Sequence, residues 1–161
     1  MKKIIVLVVC IVSMLTATCF AASNVGSVGN GSQIPNPYIT CKTMAKAEKL
    51  AGFKMKAPVK VEGYTDRTIQ AVKKDMIQVS WTKGDNQLLI RKAKGKSDIS
   101  GDYNVYANKL TVKVGKAKVT LKGNGTTYNV ATWVVRKHAF AIDADEGLTQ
   151  EAMTALVKAT H

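Results

Sequence analysis

Apolar and polar residues alternate with a period of two through much of the chain between residues 67 and 142, and the period lengthens to that of a helix at both flanks. Ile77, Val79 and Trp81 alternate with Gln78, Ser80 and Thr82, the pattern of a strand with one buried face. Lys83-Gly84-Asp85-Asn86 reads as a turn, and residues 87–92 as the returning strand. The same alternation predicts strands at 67–72, 102–107, 109–114, 117–121, 127–135 and 138–142. Connections this short require antiparallel neighbours.

The flanks carry helix punctuation. Thr40 precedes a run of helix formers, 41–51, that stops at Gly52. A Thr hydroxyl can cap the first free amides, and Gly takes the left-handed position after the last turn. Ile39 and Met44 have the spacing of a hydrophobic staple. Near the other end Leu148 precedes Thr149, and Met153, Leu156 and Val157 form one apolar face. The expected fold is α+β: an antiparallel meander of about seven or eight strands packed by an N-terminal and a C-terminal helix.

The first residues belong to a different class. Met1-Lys2-Lys3 is basic, Ile4 to Phe20 is almost wholly apolar, and Ala21-Ala22-Ser23 is small. This order is that of a secretory signal, with residues 1–21 removed. An apolar run of 17 residues is at the short limit for a membrane span, so no transmembrane segment is expected after cleavage. Lipidation at Cys19 would require Leu and a small residue where Thr16 and Thr18 stand. Residues 22–37, rich in Gly, Ser, Asn and Pro, lack periodicity and read as a flexible leader, leaving 38–161 as a single domain. Cys41 would then be the one remaining Cys, which excludes an internal disulfide. The expected location is outside the cell or on the outer face of its envelope.

Charge sharpens the picture. Of 24 basic residues only Arg67, Arg91 and Arg136 are Arg, against 11 acids, for a formal charge of +13. Without Lys2 and Lys3 the charge is +11. The segment from Lys109 to Lys122 is symmetric about Gly115-Lys116, and Gly at the first central position marks a type II′ hairpin. That register buries Val112 against Val119 and Leu110 against Leu121, and places Lys109 opposite Lys122 and Lys113 opposite Lys118. Like charges directly opposite each other disfavour a hairpin. The arrangement therefore needs a reason: an anion-facing surface, or a sheet edge kept from pairing with other chains.

Ser97-Asp98-Ile99-Ser100-Gly101-Asp102-Tyr103-Asn104, with Val119 to Gly123 and Ala131-Thr132-Trp133 further on, resembles a small domain-of-unknown-function family of secreted and membrane-anchored proteins of Gram-positive bacteria, some of them anti-sigma-factor-like. Ala51-Gly52-Phe53, Pro58 and Glu62-Gly63-Tyr64 fit the same pattern. The resemblance implies an extracytoplasmic α+β domain and carries over no catalytic residue. The cytoplasmic segment and retained span of the anti-sigma-like members have no counterpart here. Physically, Ser100-Gly101-Asp102 reads as a bend between strands.

Catalytic chemistry has little to work with. His138 is the one His that is not at the chain end, it alternates with Phe140 and Ile142, and no Gly-x-Ser-x-Gly elbow surrounds any Ser. Asp143, Asp145 and Glu146 form the one acidic cluster; they lack the EF-hand pattern, and their place just before Thr149 suits a helix N-terminus. No phosphate loop, metal-ligand spacing or dinucleotide motif occurs, so neither catalytic residues nor cofactor nor metal is expected. The expected function is a non-catalytic envelope domain that binds an anionic cell-wall polymer or anionic membrane surface through Lys109, Lys113, Lys116, Lys118 and Lys122. Extracellular nucleic acid is a further candidate ligand. The alternative is a carrier or sensor that holds a lipid or peptide between sheet and helix.

Overall fold

The computed structural model describes residues 35–160; the expected signal segment and nearly all of the expected leader lie outside them. Eight strands, β1 (Ile39–Thr40), β2 (Thr65–Val72), β3 (Met76–Lys83), β4 (Asn86–Lys94), β5 (Asn108–Val114), β6 (Ala117–Asn124), β7 (Thr127–Val135) and β8 (His138–Leu148), form one antiparallel sheet with two helices, α1 (Met44–Ala51) and α2 (Gln150–Ala159). The strand order is β1-β2-β3-β4-β8-β7-β6-β5. Two meanders, β1 to β4 and β5 to β8, thus meet at the β4–β8 pair, and the chain crosses the sheet once, between β4 and β5.

The register sorts side chains into two faces. Ile69 pairs with Val79, Val79 with Ile90, Ile90 with Ile142, Ile142 with Ala131, Ala131 with Leu121, and Leu121 with Leu110. Except for Leu110, which pairs with Leu121 but stays exposed on the edge strand β5 against expectation, this row belongs to the main core, which also holds Trp81, Trp133 and Phe140 and, from the helices, Ala47, Ala51, Met153 and Val157. Both Trp are core residues, as their strand positions predict. The opposite face buries a smaller set, Leu89, Ala93, Val130, Ala139 and Ala141, that stands apart from the main core.

Residues 95–107 make the crossing over this second face. The segment leaves the end of β4, where the Gly95 amide donates to the Lys137 carbonyl, and arrives beside β6, where the Ala107 amide donates to Asn124 Oδ1. Midway, the Arg91 guanidinium rises from the sheet and donates to the carbonyls of Ile99 (3.1 Å) and Ser100, while its Nε donates to Gln78 Oε1 (3.1 Å). Gln78 in turn donates to Gln70 (2.6 Å). The small side chains of Ala93, Ala139 and Ala141 leave room beneath a crossing backbone.

Three expectations need correction. Residues 102–107 form no strand. Asp98 accepts from the Ser100 amide, Ser100 Oγ from the Asp102 amide, and Asp102 from the Asn104 amide, so side chains two residues apart satisfy the backbone that a ladder would have used. The first helix begins at Met44, capped by Thr43, whose hydroxyl accepts from the Lys46 amide. Ile39 and Thr40 pair instead with Ala71 and Gln70, and the Cys41 amide donates to the Ile69 carbonyl (2.8 Å), so the ladder outcompetes a helix start there. With Thr43 as the cap, Ile39 and Met44 no longer hold the positions of a staple, and Ile39 stands 44% exposed in β1. Finally, the acidic cluster lies within β8 and not free before α2. Asp145 accepts from the Gln87 amide, and Glu146 from Lys83 and Asn86, which tie β8 to the β3–β4 turn. The other caps stand where expected: Gly52 is left-handed (φ 80°) and Thr149 accepts from the Ala152 amide.

Gly101 is the most constrained point of the crossing. Its φ is +70°, and a Cβ there would lie 2.7 Å from Arg91 Nη1. Gly115 has a similar φ, +59°, but a Cβ would meet nothing within 4 Å. Gly101→Ala is therefore expected to lower the unfolding free energy by about 2–3 kcal/mol, and Gly115→Ala by about 1 kcal/mol, the backbone cost alone. Urea denaturation of both variants measures the difference; equal losses would mean that Arg91 does not clasp the crossing.

Candidate anion-binding surface

The hairpin of β5 and β6 has the register read from its palindrome: Lys109 opposite Lys122, Thr111 opposite Thr120, Lys113 opposite Lys118 and Val114 opposite Ala117. Gly115 at positive φ followed by Lys116 at negative φ has the signs of a type II′ turn. Lys109, Lys113, Lys116 and Lys118 are exposed. Lys122 is different, being half-buried with its ammonium 3.4 Å from Asp98 Oδ2 on the crossing segment. Burial pushes the Asp98 carboxyl up; bonds from Ser100 and the Lys122 charge outweigh it and hold its pKa below the usual range. One of the five expected site lysines is thus engaged within the fold.

Between crossing and hairpin lies a recess of about 400 Å³, lined by Lys96, Ser97, Asp98, Lys118, Thr120 and Thr132 among others. Two ammonium groups and three hydroxyls around one opening, with the Asp98 carboxylate paired to Lys122, suit an anion better than an apolar ligand.

The topology adds charges that the sequence keeps far apart. In an antiparallel sheet alternate turns lie at the same end. Val72 pairs with Met76, Met76 with Ala93, Lys94 with His138, and Val135 with His138, so the β2–β3 turn, the end of β4 and the β7–β8 turn are neighbours. The Gly115-Lys116 turn lies at that end as well, because β6 runs antiparallel to β7. These turns carry Lys73 and Lys74, Lys94 and Lys96, Lys116, and Arg136 and Lys137, all exposed. The ends of α1 and the β2–β3 turn extend the cluster, since Lys46, Lys49, Lys73 and Lys74 line one further recess. The opposite end carries Glu62, Asp66, Asp85, Asp145 and Glu146, while Asp75 is the acid among the basic turns. Charge is therefore polarised along the strands. With strands about 4.8 Å apart, the basic end from β2 to β5 extends about 30 Å, roughly four Debye lengths in physiological salt. Sequence reasoning missed Lys73, Lys74, Lys94, Lys96, Arg136 and Lys137. The available signal was their position in the β2–β3 and β7–β8 turns and at the start of the crossing from β4.

His138 at this end has its pKa lowered by burial and by Lys92 and Lys94, which keeps it out of the positive array near neutral pH. Lys92 is turned into the core face; it donates to the Lys54 carbonyl (2.6 Å) and lies 5.3 Å from the Phe53 ring and 5.1 Å from that of Phe140.

No family model, curated protein or solved structure matches the chain. Among the described residues no helix is long and apolar enough to cross a membrane.

Asp143 beneath the crossing provides a pH test of this face. Burial, with Asp102 and Asp145 nearby, raises its pKa to about 6 against the pull of Arg91. Unfolded, it titrates near about 3.9. The folded state therefore holds the extra proton between these values, and stability from this group is full below pH 4 and declines as pH rises through 6. Asp143→Asn is expected to raise Tm at pH 7.5, with the gain disappearing below pH 4. A gain independent of pH in paired melting curves would refute the assignment.

Proposed function

We propose that this chain is a non-catalytic exported domain that docks electrostatically on an anionic envelope polymer or membrane surface. In this reading the two helices close one face of the sheet, leaving the Lys-rich hairpin and the basic end for the partner. The observation that carries it is the polarisation of charge: seven exposed basic residues and one acid, Asp75, on the turns of one end, and five acids with Lys60 and Lys83 at the other. The basic end supplies the attraction, and the acidic end orients the molecule in the same field. Lysine offers compact, mobile charges without the planar fork of Arg, so the contact is expected to follow charge density and not the detailed structure of the anion. Lys109 and Lys113 on the exposed edge strand β5 also keep that edge from pairing with another chain.

Retention of the domain on vesicles containing phosphatidylglycerol, and on purified teichoic acid, tests this across a salt series. Binding should weaken as the Debye length shortens from about 10 Å at 0.1 M to about 3 Å at 1 M. Replacing Lys73, Lys74, Lys116 and Lys137 together with Gln should weaken low-salt binding at least about tenfold, since each Lys near an anionic surface contributes about 1 kcal/mol. Lys109→Gln with Lys122→Gln should weaken it less, because Lys122 is already paired. Equal binding by wild type and the fourfold variant would leave these lysines a role only in solubility and edge protection.

A further inference from the structure

At the opposite end of the sheet from the basic turns, β2 carries a bulge. Thr65 pairs with Thr82 and Thr68 with Ser80, so one extra residue is inserted, and Asp66 there has φ 45°. Bulges of this kind re-aim side chains. Here Arg67 comes to lie over the Trp81 ring, 5.7 Å from its centre. Both line a recess of about 560 Å³, together with Tyr64, Val59 and Val61. The recess lies beside a groove of about 430 Å³ that shares Val61, Glu62 and Tyr64 and is otherwise walled by Leu148, Ala152, Ala155 and Leu156, from the end of β8 and α2.

Three polar atoms at this recess are buried and have no hydrogen-bond partner: Tyr64 Oη, Arg67 Nε and Trp81 Nε1. Trp81 is 1% exposed. Unsatisfied buried donors are uncommon, and three at one cavity call for a ligand that accepts. The nearby carboxylates do not meet the need. Asp66 accepts from the Thr65 and Thr82 hydroxyls, Asp145 from the Gln87 amide, and Glu146 from Lys83 and Asn86. Glu62 is exposed at the rim, as is Lys60. Arg67 makes no ion pair among the described residues, and burial lowers its pKa, the sign of a guanidinium without a counter-charge.

We infer that this recess binds the carboxylate of an aliphatic acid, with Arg67, Trp81 and Tyr64 as donors and the alkyl chain lying in the groove along Leu148, Ala152 and Leu156. The inference is independent of electrostatic docking, because it uses the other end of the sheet and none of its lysines. It places a lipid-like ligand between the sheet and the last helix.

The two indole N–H groups give a direct readout. In ¹⁵N-labelled protein, decanoate below its micelle concentration should shift the Trp81 indole resonance and leave that of Trp133 in place. Decanol and acetate, which lack the charge or the chain, should bind at least about tenfold more weakly. Arg67→Gln should reduce decanoate affinity at least about tenfold, with Arg67→Lys intermediate. Should Arg67→Gln fail to fold, Tyr64→Phe, which removes one hydroxyl only, should still weaken binding several-fold. The fourfold Lys variant should bind decanoate as wild type does. Decanol binding as tightly as decanoate, or loss of decanoate binding in the Lys variant with retention in Arg67→Gln, would overturn the site.

Discussion

The β4–β8 ladder joins the two meanders, and the contact between Arg91 and the carbonyls of Ile99 and Ser100 fixes the segment that crosses between them. A chain that finishes β4 in mid-sheet and must start β5 at the far edge has to pass over one face. That passage removes backbone groups from the ladder, and they must be satisfied or left wet. Here the guanidinium takes two carbonyls, and the Asp98, Ser100 and Asp102 side chains take the amides. The crossing then covers Ala93, Ala139 and Ala141, so the second face acquires a small core of its own and the β4–β8 pair at the junction is protected on both sides.

Once the junction is set, the charge layout follows from parity. Each hairpin returns the chain to the end from which it came, and the crossing begins at one end and finishes at the other. The β2–β3, β5–β6 and β7–β8 turns are therefore forced to one side, and the β3–β4 and β6–β7 turns to the other. Lysines separated by about twenty residues in the chain become neighbours, while Glu146 meets Lys83 across the acidic end at 2.7 Å. That pair is largely exposed and adds little stability by itself. Its consequence is to neutralise the one Lys at that end closest to the acids, which steepens the polarity.

The two ends differ in the kind of chemistry they offer. The basic end presents mobile, solvated charge, suited to a partner defined by charge density. The bulged end places one guanidinium and two aromatic side chains around a cavity with apolar walls, suited to a ligand defined by shape and by a single acceptor group. Arg67 keeps the face of Ile69, two residues on, which is the face of Trp81, and the bulge in β2 shifts Thr65 and with it Tyr64 by one position along β3.

Much of the fold was legible because period-two alternation and turn chemistry are local. The β5–β6 hairpin could be read to the residue, since Gly115 determines the turn and a slip by one position would exchange its faces. Gly52 and Thr149 were legible for the same reason. Thr40 was misread because Thr43 offers the same hydroxyl, and only the β2 edge decides which of them stays extended. Residues 102–107 alternate like a strand, and nothing local shows that their neighbours in space are occupied by the β5–β6 hairpin and Arg91. The lysines of the hairpin were visible as a group because they are close in sequence. Those of the other turns, and the meeting of Tyr64, Arg67 and Trp81, depend on which strands are neighbours and on one inserted residue. Local residue patterns determine strands, caps and turns; which ends and faces come together depends on contacts between distant segments, which only the tertiary structure decided.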